Sequence, residues 1–167
     1  MSKIVRKEEV VPNIHMLEIE APRIAEKVKP GQFVIAMADE FGERIPFTIS
    51  DWDVEKGTIT LYIIETGIST MKFAKMSEGD ELYGLVGPLG KKVEIKKYGK
   101  VLLGGGCYGI GGIYPIARAL KEAGNGGPPF TLNNCRLSAE IKPKHLKRAM
   151  ERCVFQKQGG EKWNRSD

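Results

Sequence analysis

Gly104, Gly106 and Gly109 stand in the order G-x-G-x-x-G within "VLLGGGCYGIGGIYPIARALKEAGN", residues 101–125, with Gly105 between the first two. After a strand and before a helix, glycines at that spacing permit a tight turn. They also let the backbone approach a pyrophosphate, whose charge the helix N-terminus favours. A dinucleotide fingerprint also wants an acidic residue about 20 positions further on. Position 129 is Pro, and the first acid after Asn125 is Glu140. A β-α hairpin that packs on a neighbouring domain and binds no nucleotide uses the same glycines, and both readings stay open.

Two further stretches carry residues suited to anions and flat rings. In "GERIPFTISDWD", residues 42–53, Arg44 offers a planar, permanently charged fork. Pro46 and Phe47 offer apolar contact to a flavin ring, and Thr48 a hydroxyl at its redox nitrogen; a plain edge strand accounts for the same residues. In "YIIETGISTMKFAKMSEGDELYGLVGPLG", residues 62–90, Gly67 leads into a helix start at Ser69 and Thr70. Free backbone N–H groups there can hold phosphate oxygens, and an ordinary capped helix is the alternative.

The elements that position these residues are mostly strands. Short alternating or apolar runs predict strands near residues 3–11, 15–20, 32–38, 47–51, 58–65 and 81–86. "KPGQ" (29–32) and "EKGT" (55–58) read as turns. "STMKFAKM" (69–76) suggests the one helix of this half, capped by Ser69 or Thr70. Six strands and one helix fit an all-β, six-stranded antiparallel (Greek-key) barrel, closed so that no edge is left open. From Lys100, "KVLLGGG" reads as a buried strand, and "IYPIARALKEAGN" as a helix with Pro near its start and Gly124 at its stop. That is a partial α/β unit, and the domains are expected at 1–98, 99–125 and 126–167.

Composition changes at the last boundary. Residues 1–125 hold 17 Lys/Arg and 17 Asp/Glu, whereas residues 126–167 hold 9 and 4, so the net charge of +5 belongs to the tail. The first 125 residues carry 24 Ile or Val and the last 42 carry two, Ile141 and Val154. Asn and Gln move the other way, three against five. The tail has few aromatics and no recognition motif, so a solvated basic face is expected rather than nucleic-acid binding. No apolar run approaches a membrane span, and "MSKIVRKEEVV" lacks a secretory pattern, so a cytoplasmic chain is expected. Cys107, Cys135 and Cys153 match no metal or disulfide spacing, and His15 and His145 are read as non-catalytic.

Taken in order, "PGQFV" (30–34), "ERIPFTISD" (43–51), "ETGISTMKF" (65–73), "GPLG" (87–90) and "GGGCYGIGGIYPIARALKEAGN" resemble the ferredoxin–NADP reductase-type flavoprotein superfamily. Within it the chain is most similar to electron-transfer subunits of dihydroorotate dehydrogenase. It also resembles the small, FAD-binding subunits of NAD(P)H–ferredoxin oxidoreductases (sulfide dehydrogenases). The resemblance covers residues 1–125. It implies an FAD-binding barrel in which Arg44 contacts the FAD diphosphate and Pro46, Phe47 and Thr48 line the isoalloxazine. It further implies that Ile63, Ile64 and Glu65 run along the flavin or ribityl chain, and that Gly67, Ser69 and Thr70 bind the pyrophosphate. Gly104, Gly105, Gly106 and Gly109 would form the NAD(P)H loop.

The resemblance also implies a larger iron–sulfur/flavin catalytic partner subunit, to which electrons pass from NAD(P)H through FAD. Family members typically continue for about a hundred residues with more parallel strands and a [2Fe–2S] cysteine cluster. Here no Val/Ile-rich strand follows Asn125, the cysteines match no such cluster, and "GIGG" (109–112) stands where "GIAP" is common. NAD(P)H binding is therefore left open and a [2Fe–2S] centre in this chain is not expected. A frame change near Asn125, a short form with a basic docking helix at residues 142–158, and a domain completed by another chain are the three explanations. The alternative function is a non-catalytic FAD-binding or assembly module.

Overall fold

The structure, a computed structural model, describes residues 2–104, 107–126, 131–132 and 135–136. Strand β1, Ser2–Val11, turns through Pro12 and Asn13 into β2, Ile14–Glu20. Asn13 has φ 67, a left-handed conformation that asparagine tolerates well. The expected turns follow: Gly31 has φ 91 in "KPGQ" and Gly57 φ 67 in "EKGT". Strand β2 pairs in unbroken antiparallel register with β6, Thr58–Ile64. With β5, Asp51–Asp53, and β7, Glu81–Leu82, they form a five-stranded sheet in the order β5-β6-β2-β1-β7. Strands β4, Ile45–Thr48, β3, Phe33–Met37, and β8, Gly84–Leu89, form a three-stranded sheet in the order β4-β3-β8.

The chain passes from the larger sheet to the smaller through α1, between β2 and β3, and passes between them again at two corners. At one, Ile49 N donates to Gln32 O (3.1 Å) and Ser50 N donates to Thr60 O (2.9 Å), so neighbouring residues bond to different sheets. At the other, Tyr83 alone separates β7 from β8. Hence the six expected strands appear as eight. The run 47–51 breaks between β4 and β5, and the run 81–86 breaks at Tyr83 and continues to Leu89. Alternation does not reveal a corner, because the apolar positions keep their order through it.

The core lies between the sheets. Ile4, Leu17, Ile19, Ile59, Leu61 and Ile63 from one meet Val34, Ala36 and Phe47 from the other. Phe73 closes it from α2, Ile68–Lys75, and its ring meets Phe47 edge to face at 5.2 Å and 84°. A second helix in this half, α1, Pro22–Ala25, adds Ile24 and Ala25; at four residues it is too short to show a period in sequence.

After a 3₁₀ turn, Cys107–Gly109, helix α3 runs Ile110–Glu122 and ends at Gly124, φ 77, as the glycine there implies. Its Ile110 and Tyr114 pack with Val10, Val11, Ile14 and Tyr62 on the outer face of the larger sheet. Strand β6 is thus covered on both faces, which is why it reads "LYII" without a polar residue. The expected strand "KVLLGGG" does not form. Lys100 makes a parallel bridge to Gly126, Gly104 is a bridge residue as well, and Leu102 between them is 71% exposed. A central parallel strand needs a continuous ladder with neighbours on both edges, and residues 101–103 carry none.

Asn125 fixes this unit to the linker before it. Its Oδ1 accepts from Tyr98 N (2.5 Å) and Gly99 N (3.0 Å), and its Nδ2 donates to Lys96 O (2.8 Å) and Leu120 O (2.9 Å). Beyond it, β9, Thr131–Leu132, and β10, Cys135–Arg136, make a two-residue antiparallel pair. The basic helix expected at 142–158, with His145 and Cys153, lies outside the described residues, as do Gly105 and Gly106. Among the described residues no helix is long and apolar enough to cross a membrane.

Candidate flavin and nucleotide site

A groove of about 550 Å³ opens at the start of α2. Phe41, Glu43 and Ile45 line one wall; residues 66–70 and Lys72 line the other. Helix α2 begins at Gly67 rather than at Ser69 or Thr70. Gly67 is the extended cap residue, and the first helical bond runs from Met71 N to Gly67 O (3.0 Å). Thr70, three positions in, reaches back: its Oγ1 accepts from Gly67 N (3.1 Å) and Thr66 N (3.0 Å). This leaves the N–H groups of residues 68–70 with no carbonyl behind them in the helix. Ser69 donates its hydroxyl to Glu43 Oε2, and Lys72 pairs with Asp39 Oδ2 at 2.7 Å, so the 38–44 loop is tied to α2 twice.

Arg44 follows that loop and leads into β4. It is exposed and, among the described residues, has no ionic partner. Along β4 the side chains alternate: Pro46 and Thr48 are exposed on the outer face, opposite Ile35 and Phe33 of β3. Phe47 points the other way, 3% exposed in the core. The expectation that its side chain lines a flavin is therefore corrected, since the pleat that exposes Thr48 must bury its neighbour. The same parity removes Ile63, 0% exposed in the core. Ile64 packs against the cluster under α3. Glu65 Oε1 accepts from His15 Nε2 at 2.6 Å, while the buried His15 Nδ1 has no partner among the described residues.

At the other end of β4 the glycine-rich segment arrives. A Cβ on Gly112 would lie 3.5 Å from Thr48 Cγ2, and one on Gly111 would lie 2.8 Å from Ser50 Oγ and 3.4 Å from Tyr62 Cδ2. "GIGG" in place of "GIAP" thus has a local reason, since the helix start touches the β domain where Gly111 leaves least room. Gly109 is exposed at the end of the 3₁₀ turn, and Gly104 is exposed at the end of the 100–104 segment. The structure therefore gathers Gly67, Ser69 and Thr70 beside Arg44's loop, and places Thr48 against the start of α3.

Helix α3 is held by more than apolar contact. Arg118 pairs with Asp51 Oδ1 at 2.5 Å and lies over the rings of Trp52 (5.0 Å) and Tyr114 (5.8 Å). Burial pushes the Tyr62 and Tyr114 phenols up, with Asp51 adding to both, and burial alone pushes up Tyr108. The unfolded chain gives up these protons above pH of about 10 while the folded chain keeps them, so stability falls as pH rises past that point. Thermal melts from about pH 9 to about pH 11.5 are expected to show a steadily falling Tm, and a flat Tm across that span would contradict the buried phenols.

Sequence reasoning passed over Glu43, Lys72 and His15. Glu43 was visible only as the acid before Arg44, and nothing local ties it to Ser69, 26 positions on. Among the described residues no group of His, Cys, Asp or Glu gathers as a metal site.

Two antiparallel sheets followed by a helix on the outer face are shared with solved flavoprotein reductases. The chain belongs to the ferredoxin–NADP reductase-type flavoprotein superfamily. It is 42% identical over 125 residues to a Thermotoga maritima protein named dihydroorotate dehydrogenase B (NAD(+)), electron transfer subunit homolog, covering 75% of this chain and 44% of that protein. A Clostridium beijerinckii protein, named only for its place in the adh 3′ region, is 43% identical over 132 residues, with 74% and 44% covered. The NADH-dependent reduced ferredoxin-NADP oxidoreductase structure superposes with a TM-score of 0.78 at 37% identity, over 85% of this chain and 53% of that one. Phthalate dioxygenase reductase, at 20% identity and TM-score 0.61, shares the fold, over 79% of this chain and 42% of that one. The chain spans under half the length of both of these sequence relatives. No protein-family profile matches it.

Proposed function

We propose that this chain is the FAD-binding part of an electron-transfer subunit. In this reading the two sheets act together as the family's six-stranded FAD barrel, and electrons pass from NAD(P)H through FAD to an iron–sulfur or flavin partner subunit. The single observation that carries the reading is the pairing of an anion site with an outward flat face. The unbonded N–H groups at the start of α2 and the Ser69 and Thr70 hydroxyls lie at the groove. Arg44, without an ionic partner, leads from its wall into the exposed Pro46 and Thr48. The Thr70 hydroxyl is engaged, donating to Gly67 O at 3.0 Å, so the donors left for a diphosphate joined to a planar ring are the N–H groups, the Ser69 hydroxyl and Arg44. FAD, when bound, supplies hydride acceptance and single-electron release.

The chain's own residues would bind and orient. Arg44 would hold one phosphate by charge-assisted hydrogen bonds, and residues 67–70 the other. Pro46 and Thr48 would face the ring, with the Thr48 hydroxyl as a donor at its edge. Helix α3, pinned by Arg118 and Asp51, would keep the nucleotide loop against that edge. FAD titration of wild type and Arg44→Ala tests the binding half. The variant is expected to fold normally and to bind FAD about ten-fold more weakly, one charge-assisted bond at an exposed site. Unchanged affinity would remove Arg44 from the site.

A second reading, the non-catalytic FAD-binding or assembly module, is favoured by one observation: residues 101–103 form no strand and Leu102 lies in solvent. Anaerobic addition of NADH or NADPH to the FAD-loaded chain separates the two. Bleaching of the flavin bands supports the electron-transfer reading, and unaltered bands support the module.

A further inference from the structure

We propose that Glu43 is a built-in competitor for the anion site at the start of α2, displaced when a diphosphate binds and replaced there by its neighbour Arg44. This deepens, and rests on, the proposal that the groove takes FAD. The 38–44 loop is a strap fastened at two points: Asp39 to Lys72 at 2.7 Å, and Glu43 to the Ser69 hydroxyl. Between them Gly42 N closes a turn on Asp39 O (2.9 Å), and Phe41 is 91% exposed. The strap therefore has little packing to hold it beyond those two fastenings. Glu43 brings a carboxylate to the same hydroxyl and helix end that a phosphate would use, in the charge sense a helix N-terminus favours.

Glu43 and Arg44 are adjacent, exposed, opposite in charge and stand at the entrance to β4. A carboxylate left beside a bound diphosphate is repelled by it, whereas an arginine in that place is attracted. Releasing the Glu43–Ser69 bond costs one exposed hydrogen bond and frees the Ser69 hydroxyl to donate to phosphate. Lys72 keeps the far end of the strap in place during the exchange, so the movement is confined to residues 40–44. The result is a site whose affinity for a diphosphate is set below what its donors alone would give.

The test is calorimetric titration of FAD, and separately of inorganic pyrophosphate, into wild type, Glu43→Gln and Glu55→Gln. Gln keeps the side chain's size and its hydrogen bond while removing the charge. Glu55, in the turn between β5 and β6, controls for a general loss of negative charge. Removing one like charge a few ångströms from a water-exposed diphosphate is expected to tighten both ligands about three- to ten-fold in Glu43→Gln. Glu55→Gln is expected to match wild type. Wild type that binds FAD while Glu43→Gln binds it no more tightly overturns the competitor and leaves the FAD reading standing. Equal tightening in Glu55→Gln also overturns it, as a general charge effect. Failure of every protein to bind FAD overturns the reading of the groove, and the competitor with it.

Discussion

Phe73→Ala is expected to cost about 3–5 kcal/mol, the range for removing a fully buried aromatic ring. Phe73 is 1% exposed, lies edge to face on Phe47, and is the buried anchor of α2. The same ring ties the core to the groove, because α2 carries Ser69 and Thr70 at its other end. With typical domain stabilities of about 5–15 kcal/mol, the loss leaves a chain folded only marginally if at all. A denaturant melt should show the midpoint moved far down, and FAD affinity should fall with it because the helix that presents the N–H groups is no longer seated. Phe73→Leu separates packing from chemistry. It should recover most of the stability and, with it, the binding. A Phe73→Ala protein as stable as wild type would mean α2 is not anchored through the core.

Gly111→Val is the second large effect. The position is tight: a Cβ there would lie 2.8 Å from Ser50 Oγ and 3.4 Å from Tyr62 Cδ2. Ser50 can rotate away from a single methyl, so Gly111→Ala should be mild. The branched valine also meets the Tyr62 ring and must push α3 off the sheet, at about 1–3 kcal/mol for an overpacked contact. Displacement of α3 breaks the Arg118–Asp51 pair and uncovers Tyr62, Ile64 and Tyr108 on the outer face. Hydrogen exchange is the readout: amides of β6 and α3 should lose protection together in Gly111→Val, while β3 and β8 keep theirs. Loss spread evenly over both sheets would contradict a local clash at the docking face.

Much of this arrangement was legible in the sequence, and the exceptions share a physical cause. Strand alternation located β1, β2, β3 and β6, and the turn residues of "KPGQ" and "EKGT" marked where the chain reverses. The helix expected from Ile113 was plain from its period and its terminal glycine, but it starts three residues earlier, at Ile110, so that Pro115 lies inside it. Corners were not legible: Ile49 and Ser50 bond to different sheets although both are buried, and no pattern separates a bend from a straight buried run. The face of each site residue was only half legible. Arg44, Pro46, Thr48 and Gly67 are exposed, and Ser69 and Thr70 are half-buried. Phe47 and Ile63 are turned inward by the pleat that exposes their neighbours.

Other features depended on distant partners. The neighbours of Gly111 in "GIGG" are Ser50 and Tyr62, which lie some fifty to sixty positions earlier in the chain. The strand expected at "KVLLGGG" failed for the converse reason: its residues suit a parallel sheet, but strand formation depends on partners, and residues 101–103 stand outside any ladder. Asn125, where charge, Ile/Val content and Asn/Gln content all shift, is also the residue whose side chain knots the linker to the end of α3.

The most direct measurement is the absorption spectrum of the chain after loading with FAD and desalting. Retained bands at flavin wavelengths, in about one-to-one ratio with protein, are the expected result. Their loss on desalting from wild type, with the protein still folded by circular dichroism, would contradict the central claim that the groove at α2 and the outer face of β4 form one flavin site.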